Sequence, residues 1–454
     1  MIDRREFLAT GLGSAAAWST LQANMFAAAA EPPLRVGLIG CGWYGKTDLL
    51  HLIQVAPVEV VGLCDVDKQM LVEAADLVAT RQTSGAHPPT FADYRQFLKQ
   101  QQPDIVLIDT PDHWHCLPMV DACRAGADVY VQKPISWDVV EGQAMVKAAR
   151  KYDRTVQVGL QRRSTKHLLE ARRRFIDSGV MGKIAYVDIH SYFGDRRGKR
   201  REIQPPEHLD WEAYVGPAPW VDYHPAIHPR GWRGIEQFGN GQMGDLCVHF
   251  FDLVRAFLNL GWPEKISASG GALQRSPDSV FNIPDTQTAV FEYPDVQIVW
   301  NQRNWGQNPD PQYPWGATLY GERGTLKLSV KSFDYAPRGK GEHVHGDYLD
   351  EREQFPEDLE YKPAEPFAAP ATRAHLRDFL AARQEGKKPT ANIVEGHIST
   401  ASCLLANISM EVGRTLQWNG AAEQVVGDDE ANARLQREYR EPWVHPTPES
   451  VTAG

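Results

Sequence analysis

The stretch VGLIGCGWYG, residues 36–45, sets the architecture of the N-terminal half of the chain. Its apolar first half is typical of a buried strand, and the Gly-x-Gly-x-x-Gly that follows leads directly into a helical pattern. Such glycines permit a tight turn and a close backbone approach, and the start of the helix presents free N–H groups to an anion. The alternative is a tight turn that serves packing alone. The predicted pyrophosphate contacts are Gly40, Gly42, Trp43, Tyr44 and Gly45.

An acidic residue follows at the expected distance from this loop. Asp65 ends the next apolar run, VEVVGLCD, twenty residues beyond Gly45. A carboxylate at this strand end accepts hydrogen bonds from the ribose hydroxyls of a bound dinucleotide and repels a 2′-phosphate. The sequence therefore predicts a nicotinamide dinucleotide site that prefers NAD over NADP.

Apolar runs continue to alternate with amphipathic helical stretches as far as residue 158. Two later runs, DIVLID at 104–109 and DVYVQ at 128–132, are typical of further buried strands. Alternation of this kind indicates a parallel sheet covered by helices. We predict an α/β Rossmann domain over residues 34–158.

Two of these strands end in residues suited to ligand contact. Thr110 and Pro111 stop one strand, and His113 or His115 begins the helix after it. We predict Thr110, Pro111 and His115 as cofactor contacts; a histidine satisfied at the helix start is the alternative. Lys133 ends the next apolar strand, where its ammonium group suits both the cofactor and a substrate oxygen. The alternative is a rim lysine in a surface ion pair.

The second half of the chain has a different pattern. Residues 183–193, 285–301 and 315–330 carry alternating or β-branched runs typical of an antiparallel sheet. We assign residues 159–420 to this second domain and residues 421–454 to a C-terminal tail. The loop 194–240 is rich in proline and aromatic residues, which suits either a platform for sugar rings or a small core of its own. Its notable side chains are Trp211, Trp220, His224, His228 and Trp232.

A helical stretch at 244–257, GDLCVHFFDLVRAF, carries a polar stripe beside an apolar one. Asp245, His249 and Asp252 share a face at positions i, i+4 and i+7. Histidine titrates near neutrality, so His249 suits proton transfer while Asp245 orients it. The alternative is a helix cap at Asp245 and a solvated His249.

Together, the glycine loop with Asp65, the QKPIS stretch around Lys133 and the GDLCVHFFD helix resemble the Gfo/Idh/MocA family. That family includes glucose–fructose oxidoreductase, inositol dehydrogenases and NAD-dependent glycoside hydrolases. The resemblance covers nearly the whole chain beyond residue 30. It implies a Rossmann domain followed by an α+β domain with a large open, mostly antiparallel sheet, whose exposed face forms homo-oligomers. It also implies that Lys133, Asp245 and His249 are catalytic. The predicted substrate contacts are Lys133, Trp232, Arg233, Asp245 and His249.

The sequence departs from the family pattern at two positions. Gln132 stands where the family has glutamate before Lys133, which removes a charge beside the lysine. Cys247 stands where the helix commonly has glycine. We expect Cys247 to narrow the substrate pocket.

The first thirty residues are typical of an export signal. Arg4-Arg5, a short apolar stretch and a final run of alanines match a twin-arginine signal, although Asp3 departs from that motif. An uncleaved amphipathic tail is the alternative. This route carries folded proteins, so the chain is predicted to leave the cytoplasm through the twin-arginine machinery with its cofactor tightly bound.

Composition narrows the classes of partner. A net charge of −10 over 454 residues gives no support to nucleic acid or anionic membrane as a partner. The six cysteines are scattered without metal-ligand spacing and are predicted to be buried thiols, and no metal site is predicted.

The residues and the resemblance together predict a periplasmic or otherwise exported NAD-dependent oxidoreductase. Its substrate would be a sugar, a glycoside or a cyclitol. The first alternative is a glycoside hydrolase that oxidises, eliminates and re-reduces its substrate. The second is a cofactor-bound binding protein without turnover.

Overall fold

The computed structural model describes residues 32–192, 198–361 and 365–453. The predicted export signal, residues 1–30, lies outside these ranges. No helix in the described ranges combines the length and the apolar character needed to cross a membrane.

The apolar runs of the N-terminal half form one parallel sheet, as predicted. Within the described residues its strands are β1 (Leu34–Ile39), β2 (Val58–Cys64), β3 (Thr90–Phe91), β4 (Ile105–Ile108), β5 (Asp128–Val131) and β6 (Val156–Val158). They lie in the order β3-β2-β1-β4-β5-β6, and the pairs β2–β3, β1–β4, β4–β5 and β5–β6 are parallel. β4 and β5 are buried on both faces, which explains their uninterrupted apolar sequence. This is the strand order of a Rossmann sheet.

Helices cover this sheet, and three of those described begin at aspartate caps. They are α1 (Trp43–Val55), α2 (Lys68–Ala79), α3 (Tyr94–Gln101), α4 (Cys116–Arg124) and α5 (Val139–Lys151). Asp67, Asp93 and Asp138 accept hydrogen bonds from free backbone N–H groups at the starts of α2, α3 and α5. These caps fix where the helices begin beside the carboxyl edge of the sheet.

The second half of the chain builds a large, mostly antiparallel sheet. Its strands among the described residues are β7 (Ile184–Ser191), β8 (Lys265–Gly271), β9 (Thr286–Glu292), β10 (Gln297–Arg303), β11 (Trp315–Gly321), β12 (Gly324–Ser329), β13 (Ser332–Pro337), β14 (Val344–Asp347), β15 (Leu416–Asn419) and β16 (Gln424–Val425). The order is β14-β13-β12-β11-β7-β10-β9-β8-β15-β16. Only β7–β10 is a parallel pair among those described. The predicted open antiparallel sheet is confirmed.

The remaining α-helices of the described structure lie in the second half of the chain, and one of them contacts both halves. They are α6 (Lys166–Ala171), α7 (Trp211–Val215), α8 (Val248–Leu258), α9 (Ala369–Glu385), α10 (Ile393–Val412), α11 (Asp429–Ala433) and α12 (Pro448–Ala453). α9 packs on α1, and α10 contacts α5, α8 and β8. Residues 35–454 form one compact unit.

The segment assigned to a C-terminal tail is part of this fold. β16 pairs with β15, α12 packs on α5, and His445 Nε2 lies 2.7 Å from the Asp138 carboxylate. The buried side chains of Leu435 and Val451 explain why the segment is docked.

The aromatic loop forms a small core of its own. Trp211, Tyr214, Trp232 and Phe238 are buried together, with Trp137 from the first half of the chain. Trp220 is exposed. Most of these aromatic side chains therefore fit the packing alternative, because their rings pack against one another in this small core.

Candidate active site

The glycine loop is held tightly against the first sheet and open on one side. Gly40 has a φ of 96°, and a Cβ there would lie 2.6 Å from the backbone of Asp109. A Cβ at Gly45 would lie 2.0 Å from the carbonyl oxygen of Gly40. A Cβ at Gly42 would meet no described atom within 4 Å. The loop therefore requires glycine for packing at two positions and leaves its backbone accessible at Gly42.

A cleft of about 350 Å³ opens at this side of the loop. The residues predicted as cofactor contacts that line it are Gly40, Gly42, Trp43, Tyr44, Asp65, Thr110 and Pro111. Trp232 and Arg233 line it too, whereas Gly45, His115 and Lys133 do not. The hydroxyl oxygen of Thr110 is buried without a hydrogen-bond partner in the described structure. An accessible glycine backbone, a strand-end carboxylate and an unsatisfied hydroxyl along one cleft fit an extended dinucleotide.

Asp65 is fixed by backbone groups on both sides. Its Oδ2 accepts from the N–H of Cys41 at 2.7 Å and its Oδ1 accepts from the N–H of Asp67 at 2.9 Å. Burial raises the pKa of Asp65, and these hydrogen bonds oppose the shift. Each carboxylate oxygen retains a further lone pair, so Asp65 is able to accept from ribose hydroxyls at the cleft wall.

Sequence analysis missed two aromatic and cationic contributors to the cleft. Trp443, from the segment assigned to the tail, lines it, and the Arg95 guanidinium lies 4.6 Å from the centre of the Trp443 ring. Sequence distance hides this pair, because the C-terminal segment returns to the first sheet only in the folded chain.

Next to Arg233, which lines the cleft, one carboxylate binds two cations. Lys133 Nζ donates to the backbone oxygen of Asp245 at 2.6 Å and to its Oδ1 at 2.9 Å. Arg233 Nε donates to the same Oδ1 at 3.3 Å. The structure thus brings together three of the predicted substrate contacts. Asp245 holds both cations in place, and its predicted role in orienting His249 stays a prediction.

A local change of helix type explains the contact to the Asp245 backbone. Residues Met243–Cys247 form a π-helical turn that continues into α8. Such a turn interrupts the regular hydrogen-bond ladder, and it recurs at functional sites. The α-helical spacing assumed for Asp245 and His249 therefore begins only at Val248. Asp252, on the predicted polar stripe, instead forms a buried ion pair with Arg163.

His249 is buried beside the ion pair of Lys133 and Asp245. Its ring packs edge-on against Trp315 at a centroid distance of 5.4 Å, and its Nδ1 has no hydrogen-bond partner in the described structure. Burial lowers the pKa of His249 well below its usual value, and the charges of Lys133 and Arg162 lower it further. The imidazole is therefore neutral at physiological pH and is able to accept a proton.

Asp112 is a further acidic residue that sequence analysis missed. It lies four residues beyond the end of β4 and is 3% exposed, and the charges of Lys133, Asp245 and Arg233 reach it. Burial raises the pKa of Asp112 to about 8, so the carboxyl group keeps its proton at neutral pH. From the sequence, the neighbouring His113 and His115 were considered instead, because histidine side chains are more often functional.

His113 and His115 have the contacts of structural residues. His115 Nδ1 lies 2.7 Å from the carbonyl oxygen of Pro134, and its Nε2 lies 2.8 Å from that of Thr110. His113 is fully buried near the carbonyls of Tyr214 and Phe238. His115 therefore links the two loops that carry Thr110 and Lys133, which is the alternative foreseen for it. Its role as a cofactor contact stays a prediction.

The two departures from the family pattern have explanations in the fold. Gln132 Nε2 donates to Asp48 Oδ2 at 2.6 Å, so its side chain is committed to a buried aspartate. Cys247 is fully buried in the main core beside Cys403. The expectation that Cys247 narrows the substrate pocket is wrong, because its side chain points into the core. All six cysteines are buried, as predicted.

The carboxyl groups near Gln132 make stability depend on pH. Burial raises the pKa of Asp48 from 3.8 to about 7, and burial together with the charge of Asp48 raises the pKa of Asp109 well above its usual value. The unfolded chain loses these protons near pH 4, so raising the pH from there towards 7 lowers the free energy of unfolding. We expect Asp48→Asn to unfold at a higher temperature than the parent protein at pH 8, with a smaller difference at pH 5.

The matched variant Gln132→Glu tests the same idea in the opposite direction. A third buried acid should make the loss of stability with rising pH steeper than in the parent protein. Thermal unfolding followed by circular dichroism between pH 4.5 and 8.5 measures both variants. Parallel pH profiles for all three proteins would contradict the assignment.

The fold and the cleft together define a dinucleotide-binding protein with a second, open-sheet domain. Three sequence profiles of one family match the chain in succession. The Rossmann domain described as "Oxidoreductase family, NAD-binding Rossmann fold" matches residues 34–160. The GFO/IDH/MocA C-terminal domain matches residues 169–327, and the "Oxidoreductase family, C-terminal alpha/beta domain" matches residues 353–445. The chain belongs to the Gfo/Idh/MocA oxidoreductase family.

Individual relatives are more distant. The chain is 25% identical to "Glycosyl hydrolase family 109 protein 1" of Akkermansia muciniphila, over 47% of this chain and 44% of that protein. It is 29% identical to a glycosyl hydrolase family 109 protein of Stenotrophomonas maltophilia, over 71% and 73%. The solved aldose-aldose oxidoreductase of Caulobacter crescentus shares the fold, with a TM-score of 0.62 at 15% identity, over 85% of this chain and 99% of that one. The match to the Akkermansia protein spans less than half of that relative's length.

Proposed function

We propose that the protein is an NAD-dependent oxidoreductase that acts on a CH–OH carbon of a sugar, a glycoside or a cyclitol. One observation carries the proposal. Lys133 follows the end of β5 and is fixed by Asp245, and its charge reaches the neutral, buried His249. Lys133 is a cation that suits an alcohol oxygen, and His249 is an acceptor for the hydroxyl proton.

Each side chain has a distinct task in this proposal. The ammonium group of Lys133 binds the reacting oxygen and stabilises negative charge on it. His249 accepts the hydroxyl proton as the alcohol is oxidised and returns it in the reverse direction. Asp245 positions Lys133 and Arg233 through its Oδ1. The bound dinucleotide, held by the glycine loop and Asp65, supplies reversible hydride acceptance.

Turnover of a substrate panel tests this function. Purified protein is incubated with matched sugars, glycosides and cyclitols, and the products are analysed by mass spectrometry. We expect loss of two mass units from one substrate, or oxidation of one sugar paired with reduction of another. Binding without any product would favour the binding protein without turnover.

A second function is favoured by the relatives named glycosyl hydrolase family 109 proteins. In that function the same residues act on a glycoside. Oxidation makes a neighbouring C–H acidic, and the aglycone is eliminated to leave a double bond. Water then adds at the carbon that carried the aglycone, and the hydride returned by the reduced dinucleotide restores the original oxidation state. Release of an aglycone with no net change in oxidation state of the sugar distinguishes this function from the first.

We further propose that NAD is preferred over NADP and stays tightly bound. Support comes from the Asp65 carboxylate on the cleft wall and from the twin-arginine motif at Arg4-Arg5. An exported enzyme meets little free dinucleotide, so its cycle should restore the cofactor on the protein. Export to the periplasm through the twin-arginine machinery is part of this proposal.

The cofactor itself provides the measurement. After prolonged dialysis, denaturation should release NAD at close to one molecule per chain, with little NADP. Asp65→Ala should lower the NAD content and narrow the preference between added NAD and NADP in calorimetric titrations. A dialysed protein that is empty and needs added NAD for each turnover would contradict tight retention; equal affinities for the two dinucleotides would contradict the preference.

A homo-oligomer through the second sheet is also proposed. Tyr186 on β7 and Tyr320 on β11 are exposed side by side on this sheet, with ring centroids 5.7 Å apart. Exposed aromatic side chains on a sheet face are typical of protein contacts.

A further inference from the structure

Two adjacent arginines beside the candidate site, Arg162 and Arg163, differ in their ion pairs. They follow β6 at the carboxyl edge of the first sheet, in the turn Gln161–Ser164. Arg163 donates to both oxygens of Asp252 at 2.7 Å and to Glu395 at 3.1 Å. Arg162 has no ion pair within 4.0 Å in the described structure. Among the described residues, Arg163 therefore has two ion-pair partners, whereas Arg162 has none at that distance.

Arg162 is nevertheless more deeply buried than Arg163. It is 4% exposed, and its Nε and Nη1 are buried without a hydrogen-bond partner in the described part of the chain. Its guanidinium carbon lies over the face of Trp315, 5.6 Å from the centre of that ring. An unpaired buried charge is costly, and a cation–π contact offsets only part of that cost. Such a group is stabilised when an anion binds.

Arg162 lies close to the proposed reaction site, because its charge reaches His249. The ring of His249 packs against the same indole of Trp315. The preceding residue, Gln161, donates to the hydroxyl of Tyr44, which lines the cofactor cleft. A ligand between His249 and Arg162 would therefore also lie beside the cofactor.

The charges of the site favour an anionic ligand. Lys133 and Arg233 share the single carboxylate of Asp245. Glu365, whose charge reaches Arg162, is exposed and forms no ion pair among the described residues. With Asp112 protonated, the three cations Lys133, Arg233 and Arg162 outnumber the carboxylates of Asp245 and Glu365 by one, so the excess charge is positive.

We infer that the substrate carries a carboxylate and that the unpaired Arg162 guanidinium binds it. The class is a uronic acid, its glycoside or a related polyhydroxy acid, oxidised at a hydroxyl carbon held by Lys133 and His249. A planar guanidinium suits the two oxygens of a carboxylate, which explains arginine at this position. The inference rests on the proposed function for its reaction, while the anion site itself does not depend on turnover.

Matched pairs of hexuronate and hexose methyl glycosides test the inference. Wild-type protein should bind and turn over one uronate with a kcat/KM at least about tenfold above that of the neutral partner, since a hydrogen-bonded charge is worth that much. Arg162→Met should bring the ratio of the two kcat/KM values close to one and weaken uronate binding in calorimetry. Arg162→Lys should restore part of the ratio. The control Arg173→Met makes the same change at an exposed arginine and should leave the ratio unaltered.

The outcomes separate this inference from the proposed function. Turnover of neutral and acidic partners with equal kcat/KM would overturn the anion site and leave the oxidoreductase standing. Uronate binding that depends on Arg162, without any product, would support the anion site and overturn the oxidoreductase. An Arg162→Met variant that binds NAD more weakly and uronate normally would assign the guanidinium to the cofactor and overturn the inference.

Discussion

Replacing Lys133 by alanine should lower turnover by at least about a hundredfold, the usual scale for a positioned group in proton transfer. His249→Ala should cause a loss of the same order. Lys133 is the group that binds the reacting oxygen, and His249 is the neutral, buried acceptor of its proton. The measurement is kcat on the best substrate of the panel, with the bound cofactor content determined for each variant.

The contacts of Asp245 define the controls. Lys133→Ala leaves Asp245 paired with Arg233, so the fold should survive. Asp245→Asn keeps hydrogen-bond acceptance and should cost less activity than either alanine variant. Lys147→Ala and His343→Ala make the same changes at exposed positions and should be neutral. Near-normal turnover in His249→Ala would show that another group accepts the proton.

The second large effect is expected at Gly42, where function and folding separate. A Cβ at this position meets no described atom within 4 Å, and its φ of −63° suits any residue. Gly42→Ala should therefore fold normally. The new methyl group would occupy the face along which the pyrophosphate approaches, so NAD affinity should fall at least about tenfold, or about 1.4 kcal/mol.

Gly40→Ala provides the contrast within the same loop. Its Cβ would meet the backbone of Asp109 at 2.6 Å, and its φ of 96° disfavours alanine. This variant should lose thermal stability as well as NAD binding. Calorimetric titration of NAD, beside thermal unfolding of both variants, checks the pair. Wild-type affinity in Gly42→Ala would refute placement of the pyrophosphate at this loop.

Local patterns predicted the fold because the physics behind them is local. Continuous apolar runs such as that at β4 mark strands buried on both faces, and alternation marks strands such as β10 with one buried face. Gly40, Gly42 and Asp65 were predicted as cofactor contacts from spacing, since one loop and one strand end supply them.

Patterns were less informative where contacts join distant segments. A π-helical turn at Met243–Cys247 stands where the spacing assumed a regular helix, and within it the backbone oxygen of Asp245 accepts from Lys133 of the first domain. Cys247, in the same turn, is buried in the main core. Trp443 reaches the cofactor cleft only because the C-terminal segment docks back on α5.

The sequence by itself determined the Rossmann sheet with its glycine loop and strand-end Asp65, and it predicted Lys133, Asp245 and His249 as candidate site residues. Tertiary structure alone decided which charges meet. Asp245 binds Lys133 and Arg233, Asp252 pairs with Arg163, and Arg162 forms no ion pair among the described residues. Hydrophobic periodicity is written in neighbouring residues, whereas the stability of a charge depends on burial and on partners that folding brings from far along the chain.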